Sequence, residues 1–334
     1  MDVPAEMDAL VAESATGVDA VKLVRIPVPR PARGQVLVKV HAAPCNPADL
    51  LYVEGRYGID RPLPATLGFE GSGEVVASGG GALARYQLGR KVAVGGHETT
   101  GTWAEYCVAR ADQCVPLRKG VTLEQGATAL ANPITTLALL ALARRGGHRA
   151  YVQTGAAGQL GRMLLVLGLE RGLRGVHVVR RADQAEVLRK LGGEHIVVSS
   201  EADFPARLAA ACRGLGATIA FDAVAGPLTG QLVDALPKES EVIVYGALSG
   251  EPCGAIDPMQ LAFGHKRVRG FEIAAHLREA GLLASLRLAG AAQKLVATGR
   301  ITTTIRARIP LRDAPSALPS YVRSMSDGKL LLLP

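Results

Sequence analysis

The sequence predicts an α/β protein with a doubly wound parallel sheet joined to a second, β-rich domain, and three observations carry that reading. Apolar residues make up 48% and charged residues 20% of 334 residues, a globular balance at a length near two average domains. Residues 35–41, Gln-Val-Leu-Val-Lys-Val-His, alternate with period two, as a half-buried strand does. From residue 151 onward short apolar runs alternate with helical segments, the pattern of βαβ units.

The elements follow in order. Prolines 27, 29 and 31 punctuate the entry to the strand at 35–41, and 71–76 and 91–94 read as further strands between glycine-rich turns. Residues 124–142 are Ala/Leu-rich and read as helix. Strands are expected at 151–154, 175–179, 196–198, 217–222 and 241–245, with helices over 158–170 and 183–191. A helix over 282–298 and strand-like pieces after it are expected to fold back onto the N-terminal domain.

Composition excludes several function classes. No apolar run reaches the ~18 residues of a membrane helix. Asp2, Glu6 and Asp8 leave no basic n-region or apolar h-region, so a cytoplasmic protein is expected. Cysteines 45, 107, 114, 212 and 253 contain no C-x2-C pair, which argues against a structural zinc cluster and for reduced thiols. The net charge is +8, but the basic residues are scattered and aromatics are only 4%. That excludes a stacking platform for nucleic acid and suits an anionic small molecule.

The most informative segment is Gly155-Ala156-Ala157-Gly158-Gln159-Leu160-Gly161, between a strand and a helix. Small residues there let the backbone approach a pyrophosphate, and the helix start offers N–H donors and the positive end of a dipole. In that context the segment reads as a dinucleotide-binding loop. The next strand ends at Arg180-Arg181 where an NAD site usually has an acid. An arginine binds a 2′-phosphate bidentately, so NADPH is the expected cofactor, preferred over NADH by about ten- to a hundredfold.

Taken with further segments in their order, the chain resembles the zinc-independent medium-chain dehydrogenase/reductases, in the branch of quinone oxidoreductases and 2-enoyl thioester reductases. These segments are residues 35–49 through Asn46-Pro47-Ala48-Asp49, Gly55-Arg-Tyr57-Gly58, Leu67-Gly-Phe-Glu70-Gly71, Gly101-Thr-Trp103, Ala131-Asn132-Pro133-Ile-Thr135, Arg-Gly-Phe at 269–271 and Gly328-Lys329. The resemblance implies a Rossmann cofactor domain over 128–270 and a GroES-like catalytic domain over 1–127 and 271–334, with the active site in the cleft between them. It also implies a homodimer joined near residues 267–274. Its implied cofactor contacts are Asn132, Thr135, the loop 155–161, Arg180, Arg181, Tyr245, Gly246, Ala247, Leu248, Phe271, Ile273 and Lys329. Its proposed proton donor maps to Tyr57. The chain departs from the enoyl reductases after Arg-Gly-Phe, where Glu272-Ile-Ala-Ala-His276 replaces aromatic residues, and at Gln159, where a glycine is usual.

No metal is expected. The Gly-His-Glu motif of the zinc-dependent relatives reads Gly68-Phe69-Glu70, and phenylalanine does not ligate. Hydride addition to an activated alkene then needs a donor for the developing enolate and a proton for the α-carbon. Tyr57 serves either as proton donor or as an anchor for the carbonyl, and Asn46 orients Tyr57 or the ribose. Asp49 and Glu70 read as structural acceptors for backbone N–H groups. Lys266, Arg267 and Arg269 offer charges for a CoA or carrier phosphate, or form a solvated face. Three readings stay open: an NADPH-dependent reductase of an α,β-unsaturated thioester or carbonyl, an NADPH:quinone reductase, and a non-catalytic NADP-binding protein.

Overall fold

The computed structural model describes residues 3–59, 61–96 and 100–334. The chain divides into two units, Met1–Ile134 with Leu282–Pro334, and Thr135–Gly281. These boundaries lie 7 and 11 residues beyond the expected ends at 127 and 270 (134 − 127 and 281 − 270). One continuous helix, Ala131–Arg145, carries the first crossing, and a further helix, Ile273–Ala280, extends the second unit past its last strand.

In the first unit, β1 (Glu6–Ala12), β2 (Val21–Pro27) and β4 (Ala65–Thr66) form a small sheet, while β3 (Gln35–Pro44) begins a larger one. The alternation at 35–41 works as expected: Val36, Val38 and Val40 turn into one core with Trp103 and Leu332, while Leu37 packs with Met7 and Val108 on the other face. β5 (Glu70–Ser78), β6 (Lys91–Gly95), β7 (Tyr106–Arg110) and β8 (Cys114–Pro116) extend this sheet. Helix α1 (Pro47–Val53) follows β3, and α2 (Ala82–Gln87) follows β5. The helical stretch expected over 124–142 is two helices, α3 (Leu123–Gly126) and α4 (Ala131–Arg145). The break has a physical cause: the Glu70 carboxylate accepts the backbone N–H groups of Leu130 and Ala131, so the chain leaves one helix to start another.

The second unit is a parallel sheet of β9 (Ala150–Gln153), β10 (Arg174–Val179), β11 (His195–Val198), β12 (Ile219–Asp222), β13 (Glu241–Val244) and β14 (Arg267–Gly270). The spatial order is β11-β10-β9-β12-β13-β14. In chain order within the sheet this is 3-2-1-4-5-6, the doubly wound order, with its reversal between β9 and β12. Helices α5 (Gln159–Glu170), α6 (Ala182–Lys190), α7 (Phe204–Leu215), α8 (Pro227–Ala235) and α9 (Pro258–Ala262) make the crossovers, and α10 (Ile273–Ala280) follows β14. Strands such as Ala150–Gln153 and Ile219–Asp222 are buried on both faces, so they read as apolar runs rather than alternating ones.

The chain then returns to the first unit through α11 (Leu282–Ala297), β15 (Ile305–Pro310), α12 (Ala314–Val322) and β16 (Lys329–Leu333). β16 pairs parallel with β15 and antiparallel with β3, placing Leu331 opposite Pro44. The larger sheet therefore has seven strands, ordered β15-β16-β3-β5-β6-β8 with β7 also on β3. Among the described residues no helix is long and apolar enough to cross a membrane.

Candidate functional site

In the second unit the loops that leave β9, β12 and β13 meet around the glycine-rich segment. Gly155 has φ +60°, a left-handed conformation, and a Cβ placed on it would lie 3.4 Å from Ala223 and 3.6 Å from Leu248. Gly161 is fixed by close approach: a Cβ there would lie 2.5 Å from the Ala156 carbonyl oxygen. Gly158 enters α5 in an extended conformation, and the first turn of α5 presents backbone N–H groups without helical acceptors. Ala156 and Ala157 are buried, and Gln159, where a side chain had to be accommodated, is buried as well. A cradle of this kind fits the pyrophosphate of a dinucleotide.

Two residues that order the cradle carry no motif and escaped the sequence reading. Asp222, fully buried at the end of β12, accepts from the Thr154 hydroxyl (2.7 Å), from the N–H groups of Val224 and Ala225 (3.0 Å each) and from the Thr229 hydroxyl (2.8 Å). The Thr154 oxygen in turn accepts from Ala223 N at 2.8 Å. The available signal was an acid at a strand end followed by Ala-Val-Ala-Gly. Tyr245, Gly246, Ala247 and Leu248 leave β13 beside this loop, with Tyr245 N and Leu248 N bonded to the Asp222 and Ala223 carbonyls. Burial, and secondly the Asp222 carboxylate, push the Tyr245 phenol well above its ordinary range.

Arg180 and Arg181 lie exposed just past β10, and the Gln184 amide oxygen accepts both of their backbone N–H groups (3.1 and 3.2 Å). Thr135 is buried on α4, one turn after Asn132 on the same helix. Phe271 N bonds to the Val244 carbonyl, and its ring stacks 5.3 Å from His276. Ile273 opens α10, and Glu272, where relatives carry aromatics, caps that helix by accepting from Ala274 N and Ala275 N.

Of the three basic residues read either as charges for a phosphate or as a solvated face, two are engaged within the chain. Lys266 is buried with its ammonium on the Val233 carbonyl at 2.6 Å, and Arg269 pairs with Glu241 at 2.6 Å. Arg267 alone of the three sits exposed without an ion pair among the described residues.

The first unit gathers a buried polar cluster. Asn46 stands before Pro47, which opens α1; Glu70 opens β5 and Lys329 opens β16. The Lys329 ammonium donates to the Asn46 side-chain oxygen at 2.5 Å and to the Cys45 carbonyl at 3.2 Å. The Asn46 amide nitrogen donates to Glu70 at 2.9 Å. A lysine only donates and a carboxylate only accepts, so the two charges fix which way the Asn46 amide faces. Asn46, expected to orient Tyr57 or the ribose, thus directs its side-chain hydrogen bonds to Glu70 and Lys329.

Asp49 accepts from Asn46 N at 2.8 Å and from Phe69 N at 3.0 Å, so both buried carboxylates serve backbone donors. Burial pushes the Asp49 carboxyl up to about 7 despite those donors, raises Glu70, and lowers Lys329. Cys45 is buried in the same cluster, and burial raises its thiol. Tyr57, half-buried, packs its ring 5.4 Å from Phe69 at 35°. Arg61, which no motif marked, holds its guanidinium 5.8 Å from the same Phe69 ring.

Residues 32–119 match the alcohol dehydrogenase GroES-like domain, and residues 160–286 match the zinc-binding dehydrogenase family. The chain is 26% identical to a mitochondrial enoyl-[acyl-carrier-protein] reductase of Caenorhabditis elegans, over 93% of this chain and 90% of that relative. A Mesorhizobium loti structure described as a candidate NADPH:quinone reductase is 33% identical over the whole of both chains, with a TM-score of 0.94. A mycobacterial structure complexed with NADPH shares the fold, with a TM-score of 0.84 at 24% identity over 98% of this chain and all of that one.

The matched family name implies zinc, but the residues present do not fit it. Phe69 offers no donor atom, and the Lys329 ammonium lies against Asn46 and Cys45, where it would repel a dication. Among the described residues no three His, Cys, Asp or Glu side chains come together as a metal site.

Proposed function

The chain belongs to the medium-chain dehydrogenase/reductase family, in its zinc-independent enoyl and quinone reductase branch, and from that premise we propose that it is an NADPH-dependent reductase of activated C=C bonds. It is an oxidoreductase that takes a nicotinamide cofactor and a small-molecule substrate. The finer reading is an α,β-unsaturated thioester or carbonyl as hydride acceptor. The observation that carries it is the Tyr57 phenol packed on Phe69, which stands where the zinc-dependent relatives have a ligand and directly precedes Glu70 of the buried Glu70–Asn46–Lys329 chain.

The bound cofactor would supply the hydride. The residues of this chain supply the rest. The turn at 155–161 and the start of α5 hold the pyrophosphate, and Arg180 and Arg181 favour a 2′-phosphate. Tyr57 donates a proton to the α-carbon as the enolate collapses; a phenol is protonated at neutral pH and suits that role. Phe69 fixes the Tyr57 ring, and the buried Glu70–Asn46–Lys329 chain keeps the neighbouring dipoles in one orientation.

We also assign the protein to the cytoplasm and to a homodimer. Four of the five cysteines are buried as free thiols, which suits a reducing compartment. Strand β14 is a sheet edge with exposed residues, which suits pairing with a second copy.

The test is NADPH oxidation by the purified protein with 2-enoyl-CoAs of several chain lengths and with 1,4-benzoquinone, NADH serving as control. Turnover that depends on acyl chain length and falls in Tyr57→Phe supports the thioester reading. Quinone turnover alone, unmoved by that substitution, replaces it with the quinone reductase, the reading favoured by the 33% identity to the Mesorhizobium loti protein.

A further inference from the structure

The two arginines past β10 are not equivalent. Arg181 is already forked onto Asp183, Nε to Oδ1 and Nη2 to Oδ2 at 3.0 Å each, and its hydrogen bond holds the Asp183 carboxyl below the usual range. This is the planar bidentate geometry that a phosphate would also use. Arg180 has no ion-pair partner among the described residues and is exposed. Gln184 ties the backbone N–H groups of both residues, so the turn that presents them is fixed while the two guanidinium groups differ in what they hold.

We propose that Asp183 is a specificity-determining residue: by holding Arg181 it leaves the 2′-phosphate chiefly to Arg180 and so weakens the preference for NADP. The proposal rests on the NADPH reading. A 2′-phosphate carries about −1.5 to −2 charges at neutral pH. To engage Arg181 it must displace a carboxylate that is already bidentate, and it then faces that carboxylate's charge. To engage Arg180 it displaces only water. The turn therefore discriminates less than two unpaired arginines would.

Calorimetric titration with 2′,5′-ADP and with 5′-AMP separates the contributions without relying on turnover. The wild type is expected to prefer 2′,5′-ADP. Arg180→Ala should reduce that preference about tenfold to a hundredfold, the range for a charge-assisted contact. Arg181→Ala should reduce it less than Arg180→Ala does. Asp183→Asn, an exposed and nearly isosteric change, should tighten 2′,5′-ADP about two- to fivefold, the range for releasing a surface ion pair, and leave 5′-AMP unchanged. A weakened or unchanged 2′,5′-ADP affinity in Asp183→Asn overturns the inference, as does a larger loss in Arg181→Ala than in Arg180→Ala. Equal affinity of the wild type for both nucleotides overturns the NADPH reading itself, and the inference with it.

Discussion

Replacing Asp49 by Asn should flatten the dependence of stability on pH in the first unit. Asp49 is 1% exposed and titrates near 7 in the fold, against a reference value of 3.8. Between those values the folded state keeps a proton that the unfolded state has released. Stability therefore falls as pH rises through that window and levels off above the folded value. For a single group with these two values, linkage gives about 2–3 kcal/mol of lost stability between pH 5 and pH 8. Glu70 is shifted in the same direction and contributes with the same sign, so the substitution should reduce the slope rather than abolish it.

The amide has only one acceptor oxygen for the two N–H groups that Asp49 now serves, which costs about 1–3 kcal/mol at every pH. The slope, not the absolute stability, is thus the quantity to read. The assay is urea unfolding at several pH values followed by tryptophan fluorescence. The chain has one tryptophan, Trp103, buried in the core of the first unit with its indole N–H on the Pro44 carbonyl. The reasoning fails if Asp49→Asn and the wild type lose the same stability between pH 5 and pH 8, or if the substitution steepens the loss.

The remaining predictions concern neighbouring parts. Lys329→Met leaves two buried carboxylates without their cation and should cost about 3–5 kcal/mol at pH 8 in the same unfolding assay. At pH 5, where Asp49 is protonated, the cost should be smaller. Gly161→Ala places a methyl 2.5 Å from a carbonyl oxygen that belongs to the backbone, so the turn must move; nicotinamide nucleotide affinity measured by calorimetry should fall at least about tenfold. Tyr57→Phe should lower kcat for a 2-enoyl-CoA by about a hundredfold or more while the affinity for the nucleotide stays unchanged.

Much of the cofactor-binding unit was legible because its strands are short apolar runs bounded by glycine-rich turns, and the phosphate loop sits at a strand–helix junction where small residues have a mechanical reason. The helix expected over 124–142 failed for a reason no local window contains: its break is held by Glu70, about sixty residues earlier. Asp222 and Thr154 stayed hidden because an acid and a threonine at strand ends are ordinary until the fold makes them share a hydrogen bond. Lys266 misled in the opposite way. A basic residue beside two arginines reads as a charged surface, yet its stem is buried and its ammonium satisfies a carbonyl.

The cluster at Asn46 joins residues far apart along the chain: Lys329 follows Glu70 by 259 positions (329 − 70) and is made only after the whole of the second unit, Thr135–Gly281. During synthesis the second unit is contiguous and free to fold as soon as it leaves the ribosome. The first unit is not. Until β16 arrives, its sheet lacks the strand that pairs with the end of β3, and its two interior carboxylates have no ammonium to neutralise them. The nascent first unit therefore waits in a state that has reason to hold protons on Asp49 and Glu70 or to keep them wet, and the late entry of a single lysine closes it.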